Sequence, residues 1–238
     1  MKLEIITLFP NFFEGIFSQS ILKRACESGI FEYRIHDLRE FTTDKHHQAD
    51  DYRFGGGSGM LLKPDPFFRV MEEIMKRAET RPLVIFPSAQ GAVFNQEIAD
   101  SIAREPHLVF LCGHYKGVDQ RVIERWVDRE YSLGDYVITG GETAATVMID
   151  AAIRMIPGVL GNLDSALTDS FRDGYLDCPH YTRPDEFAGL RVPELLLGGH
   201  HKNINIWRQA MSRVITKHRR PDLLNIQDNK EPWKAGKK

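Results

Sequence analysis

Two short apolar runs, PLVIFP at 82–87 and HLVFLCG at 107–113, restrict how this chain can fold more than any other feature. A strand without polar alternation needs cover on both faces, as inside a parallel sheet. The runs begin 25 residues apart, and Gln96 to Arg104 between them has helical spacing, so together they have the length of a βαβ unit. The pattern then repeats. Asp119 to Val127 reads as a helix, YSLGDYVI at 131–138 as a third strand region, and GETAATVMIDAAIRMIPG as a helix halted at Pro157–Gly158. This alternation predicts an α/β fold around a mostly parallel sheet. Upstream come a buried first strand from Leu3 to Leu8, helical spacing from Asn11 to Glu27, and a half-buried strand in FEYRIHD. A long polar segment follows, Leu38 to Ser58 with a Gly55–Gly57 run, before helical spacing resumes from Pro66 to Ala78. A connection that long is either functional or disordered.

Each central strand runs into small residues: PSAQG at 87–91, GHYKG at 113–117, and the breaks at Gly134 and Gly140–Gly141. Ligands of open α/β sheets bind beyond the carboxyl ends of the strands, so three such loops predict one pocket lined largely by backbone. It is not a phosphate pocket by signature. G-x-x-x-x-G-K-[ST] is absent, and no G-x-G-x-x-G opens a helix after a first strand, which also leaves a nicotinamide oxidoreductase without its fingerprint. Glu142 in the first turn of the following helix would repel an anion. S-adenosylmethionine fits such a site, having an adenosine, a cationic sulfonium and an amino-acid tail but no phosphate. The same glycines also suit tight turns and close packing alone.

Beyond the α/β half, GNLDSALTDSFRDGYLDCPHYT at 161–182 is polar and reads as a linker, and helical spacing returns around Ile206, Trp207, Met211, Val214 and Ile215. The expected organisation is a domain at 1–160, a linker at 161–170 and a small, mainly helical domain at 171–238. The net charge of −2 hides an asymmetry: from Gly198 onward ten Lys and Arg face three acids, +7, leaving −9 for residues 1–197. A basic end suits an anionic partner such as nucleic acid, and equally a solvated helix face with a Lys-rich tail. Cys26, Cys112 and Cys178 form no C-x-x-C pair and predict reduced thiols in a cytosolic setting. No apolar run reaches the roughly 18 residues of a membrane span. The pairs His46–His47 and His200–His201 lack further ligands at metal-site spacing, so no metal is expected.

Several ordered stretches carry a more specific signal. IITLFP at 5–10, YRFGGGSGM at 52–60, LCGHYKGVDQR at 111–121, SLGDYVITGGE at 132–142 and IDAAIRMIPGVLGN at 149–162 are joined by DSF at 169–171, LDCPHYTRP at 176–184 and Trp207–Arg208. Together they resemble the bacterial tRNA guanine-N1 methyltransferase family almost end to end. The resemblance implies the SPOUT fold, a sheet threaded into a deep trefoil knot, with S-adenosylmethionine bent inside it. It implies methylation of the guanine just 3′ of the anticodon, at tRNA position 37. The methyl donor would be held by Ser88, Gly113, Tyr115, the run Leu133, Gly134, Asp135, Tyr136, Val137 and Ile138, and Gly140–Gly141.

The same resemblance places the general base at Asp169 and an arginine near the donor at Arg154, and it implies a homodimer whose active site is shared between subunits. Read alone, Asp169 also suits a helix cap ahead of Ser170, and Arg154 an i,i+4 pair with Asp150. Lys116, Ser170, His180, Arg183 and Arg208 are candidates for contact with the anticodon stem-loop. At Lys116 and Gln120 many family members carry an acid. A lysine only donates, so it cannot accept from the N1–H and N2–H₂ edge of guanine. That departure keeps a knotted methyltransferase for another RNA as an alternative. A non-catalytic RNA-binding module is the other, against which Asp169 and the 134–141 glycines are all present.

Overall fold

A computed structural model describes residues 1–161 and 168–224. The chain divides into two compact units, Met1–Gly161 and Asn162–Lys238. Most of the expected linker, 162–167, and the tail from 225, with Lys230, Lys234, Lys237 and Lys238, lie outside the described residues.

The first unit is built on five parallel strands: β1 (Lys2–Thr7), β2 (Glu32–Asp37), β5 (Leu83–Val93), β6 (His107–Leu111) and β7 (Arg129–Ser132), in the order β2-β1-β6-β5-β7. Side-chain alternation divides the core into two layers, one on each face. Leu3, Ile5, Ile85, Leu108 and Phe110 join a cluster with Phe13, Phe17 and the helix α6 (Gly141–Ile153). Ile6, Val84, Phe86, Val109 and Leu111 pack on the other face against α3 (Pro64–Arg77) and α5 (Gln120–Trp126). α3 follows its sequence closely. Pro64 opens it where no N–H is needed, and Phe67, Val70, Met71 and Ile74 recur at helical spacing and are wholly buried.

Four expectations need correction. The helical spacing of 11–27 is split into a 3-10 turn at Pro10–Phe13, α1 (Glu14–Phe17) and α2 (Ser20–Glu27), because Ser18 and Gln19 break the run after Phe17 has reached the core. PSAQG is not a loop after a strand. β5 continues to Val93, and since Pro87 and Ala92 both align with Tyr131, residues 88–91 bulge out of a strand that then resumes. The third strand region ends at Ser132, and Tyr136, Val137 and Ile138 lie in an exposed loop. The polar 38–58 segment is partly ordered by pairing: β3 (Asp50–Tyr52) runs antiparallel to β4 (Met60–Leu62), with buried Leu38 and Ala49 anchoring it.

In the second unit, a short antiparallel pair, β8 (Glu186–Phe187) and β9 (Leu190–Arg191), precedes α7 (Glu194–Leu197) and the 19-residue α8 (His201–Arg219). Within α8 only Ile204 and Thr216 are buried. All three cysteines are free thiols, and no described helix is long and apolar enough to cross a membrane.

Candidate active site

The loops beyond β6 and β7 and the bulge in β5 enclose a cavity of about 360 Å³. Ser88, Gly113, Tyr115, Leu133, Gly134, Tyr136, Val137, Ile138, Gly140 and Gly141 line it, with Lys116 and Gln120 on the same wall. Asp135 is exposed and does not line it. Gln90, His114 and Thr139 are lining residues that the sequence reading passed over, although His114 stood inside the quoted GHYKG. The volume is at the small end for a compact organic ligand.

The Gly140–Gly141 pair has a steric reason. The chain leaves β7 at one edge of the sheet and returns past β5 to the end of β6, where the Gly141 N–H donates to the Gly113 carbonyl at 2.7 Å and Gly140 bridges His114. A methyl group at Gly141 would stand 2.9 Å from the Gly113 nitrogen and 3.1 Å from Cys112 Cα, both backbone atoms that cannot step aside. Gly141→Ala is therefore expected to part the two loops and destabilise the first unit by about 1–3 kcal/mol, the cost of overpacking a tight site. Denaturant melts would show it, and Thr143→Ala at an exposed position of the same helix serves as the control.

The rim is held by main-chain bonds to β4. Lys116 N–H donates to Met60 O at 3.1 Å, Leu62 N–H to Gly117 O at 3.1 Å, and Asp119 N–H to Leu62 O at 3.1 Å. Thus the glycine-rich 55–59 turn abuts the cavity, and the Lys116 stem lies across Gly59. Tyr115 adopts φ +59°, a left-handed conformation that costs a non-glycine residue roughly 1–2 kcal/mol and is often stored at functional sites. Arg154 is half-buried at the carboxyl end of α6, its N–H donating to Asp150 O at 3.2 Å.

Asp169 belongs to the second unit and lines a separate cavity of about 640 Å³ there, together with Asp173, Asp177, His180, Arg208 and Arg213. No helix starts at Ser170, so Asp169 is not a helix cap. Ser170 Oγ instead accepts from the Asp177 N–H at 2.9 Å, folding 169–177 back on itself. His180 Nε2 bonds Asp177 Oδ2 at 2.7 Å. Burial raises the Asp177 pKa, but the His180 hydrogen bond and charge and the Cys178 N–H together outweigh it and hold the carboxyl below its ordinary range. Asp177, Cys178 and His180 bring a carboxylate, a thiol and an imidazole within 4.8 Å of one another. Here both Asp177 oxygens are engaged, one by His180 and one by the Cys178 N–H. His180, Arg183 and Arg208 also share a neighbouring cavity with Tyr181 and Trp207.

Two hydroxyls of α8 anchor this segment. Thr216 Oγ1, wholly buried, accepts from the Leu176 N–H at 2.8 Å and donates to Ser212 O at 2.7 Å, while Ser212 Oγ donates to Leu176 O. Nothing in the sequence distinguished them from other helix polar residues. Thr216→Val should leave the part-buried Leu176 N–H without its acceptor and cost about 1–3 kcal/mol, whereas Thr216→Ser should cost less than half of that. Chemical denaturation of the two variants tests it.

Comparison with known proteins identifies the family. A family model described as tRNA (Guanine-1)-methyltransferase TrmD matches residues 1–226. A tRNA (guanine-N(1)-)-methyltransferase of Anoxybacillus flavithermus is 48% identical over 98% of this chain and 96% of its own length. Proteins of the same name from Bacillus cereus and Bacillus anthracis are 50% identical over 94% of this chain and 92% of theirs. A backbone-lined cavity at the carboxyl ends of a parallel sheet, a second unit carrying an aspartate, and matches that run through both units lead to one conclusion: the chain belongs to the tRNA (guanine-N1)-methyltransferase family, TrmD.

Proposed function

We propose that the protein transfers a methyl group from S-adenosylmethionine to N1 of the guanine at position 37 of tRNA. The observation that carries this reading is the convergence of three backbone-lined segments on one cavity, in a chain of this family. The cavity suits the donor because glycines at 113, 134, 140 and 141 let a ligand approach the main chain closely, and the acid nearest the α6 amino end, Glu142, disfavours a phosphate. When bound, S-adenosylmethionine supplies an electrophilic methyl carbon on a sulfonium. Ser88, Gly113, Tyr115, Leu133 to Ile138, and Gly140–Gly141 are the residues that would hold it, Asp135 contributing through its main chain.

Guanine N1 carries a proton and a lone pair delocalised into the ring, so a base must remove the proton as the new bond forms. Asp169 is that base in this account. Negative charge then spreads to O6, and Arg154, a permanent cation, is the group proposed to stabilise it. Extruding a loop base is the usual requirement for chemistry on its edge. Lys202, Arg208, Arg213, Lys217 and Arg219, all exposed on α8, suit phosphate contacts that position an anticodon stem-loop without reading it. Ser170, His180 and Arg183 would lie beside the substrate, and Lys116 is limited to donating, to O6 or to phosphate.

We also propose that the return of the chain from β7 past β5 to β6 forms a trefoil knot, and that the protein is a homodimer sharing its active site between subunits, in the cytoplasm. The exposed apolar residues Phe187, Leu190, Ile206 and Val214 support a covering partner, since α8 buries so little of itself. Transfer of labelled methyl to matched transcripts carrying guanine or adenine at position 37 tests the substrate: label on the guanine transcript alone is expected, and equal label on both overturns the assignment. Mixing two inactive variants, Asp169→Ala and Gly141→Val, tests the sharing. Recovery of up to about a quarter of wild-type activity is expected, because random pairing leaves half the dimers with one intact site of two.

A further inference from the structure

The carboxylate of Glu142 is buried, 4% exposed, at the amino end of α6. Its Oε1 accepts from Thr7 Oγ1 at 2.8 Å. Among the described residues, no Lys, Arg or His side chain forms an ion pair with it. The hydroxyl and the helix dipole are partial compensation, worth far less than the desolvation of an ion. Buried charges are normally paired. The other oxygen, Oε2, lies 2.4 Å from the point where a Gly140 Cβ would stand, directly behind a residue that lines the donor cavity. His114 Nδ1 flanks the same point at 2.7 Å, yet it is buried and makes no hydrogen bond. Burial first, and then the Glu142 charge, push the thiol of Cys112 well up, and Cys112 immediately precedes the lining residue Gly113.

We infer that Glu142 is the counter-charge for a cationic methyl donor, favouring it over the neutral thioether left after transfer. The inference rests on the proposed donor and adds a role that backbone contacts alone do not supply. Adenosine and amino-acid groups are common to donor and product, so loops that grip those groups bind both alike. A fixed buried carboxylate interacts with the sulfonium and loses that interaction when the methyl leaves, which favours product exchange. Thr7 is then a positioning residue, holding Glu142 through its hydroxyl while its Oγ1 accepts from the Phe9 N–H at 2.9 Å.

Calorimetric titration of the full chain with three ligands tests it: S-adenosylmethionine, sinefungin, which carries an ammonium-bearing carbon in place of the sulfonium, and neutral S-adenosylhomocysteine. Glu142→Gln should weaken the two cations about tenfold or more, the low end of coupling between close buried charges, and shift the neutral ligand by less than about twofold. Glu142→Asp, which keeps the charge, should retain most of the discrimination. Binding of the neutral ligand also reports that the variant is folded. Should the glutamine variant not fold, the wild type decides, since the cations must then bind it more tightly than the neutral ligand. Equal shifts for all three, or none, overturn the inference and leave the donor assignment standing. Wild-type protein that binds none of them overturns both.

Discussion

Asp169→Asn is expected to slow single-turnover methyl transfer by about 10²–10⁴-fold, the usual contribution of a positioned general base. An amide keeps the shape and a hydrogen-bonding oxygen but cannot take the N1 proton. Donor affinity should change little, because the amide keeps the shape of the side chain and Asp169 is not among the residues proposed to hold the donor. Transfer RNA affinity should also change little, since phosphate contacts dominate it. The signature is a loss in rate without a loss in binding, read from rapid quench at saturating donor and RNA. A variant that binds both and transfers at nearly the wild-type rate would assign the proton to another acceptor. Asp173, which lines the same cavity, is the next carboxylate to test, since Asp177 is held below its ordinary range and has both oxygens engaged.

The largest effect on stability is expected at Glu4, far from the chemistry. Its carboxylate is 7% exposed and accepts from His36 Nε2 at 2.6 Å, from His107 Nε2 at 3.0 Å and from Arg77 Nη2. Four residues from β1, β2, β6 and α3 are thereby joined, and none of them lines the cavity of the first unit described above. Glu4→Ala would leave an arginine and two buried imidazoles around an empty space, costing about 3–5 kcal/mol. Burial raises the Glu4 pKa, but the His36 hydrogen bond, the Arg77 charge and the His107 bond outweigh it and the net shift is downward. A depressed folded-state pKa contributes stability that is fully present above the unfolded value, about 4.3 for glutamate, and is lost as pH falls through the folded value. Wild-type stability should therefore fall in that acid window by more than that of Glu4→Ala. Urea melts at pH 7 and pH 4 measure both terms. Parallel pH profiles for the two proteins would show that the cluster is not ionised as described.

The central strands were legible because PLVIF and HLVFL have no polar alternation, and burial on both faces leaves no other reading. The helix between them, Gln96–Ile102, was legible from its helical spacing, as was α3 from Phe67, Val70, Met71 and Ile74. Where the chain departs from regular structure to build the cavity, local pattern misled. Tyr136, Val137 and Ile138 look like a strand because they are apolar, yet Val137 is 96% exposed, and all three line the cavity wall. The 88–91 bulge is a matter of register with Tyr131, which no single segment encodes. Glu142 read as an acid that repels phosphate. That it is buried beside Thr7, 135 residues away, is a property of the packed sheet. Ser212 and Thr216 were invisible for the same reason, being two hydroxyls on a polar helix whose partners come from 176. Local chemistry picked out the glycine loops, while the pairings that give them meaning are long-range.

The proposed reaction leaves one methyl group on N1 of one guanine. Nucleoside analysis of a reacted transcript by mass spectrometry, after cutting out the anticodon loop, tests it most directly. The expected product is 1-methylguanosine, stoichiometric with label, in the fragment that contains position 37, and no more than about a hundredth as much in the same time with the Asp169→Asn protein. A methyl group on ribose, on another guanine nitrogen, or in any other fragment would contradict it.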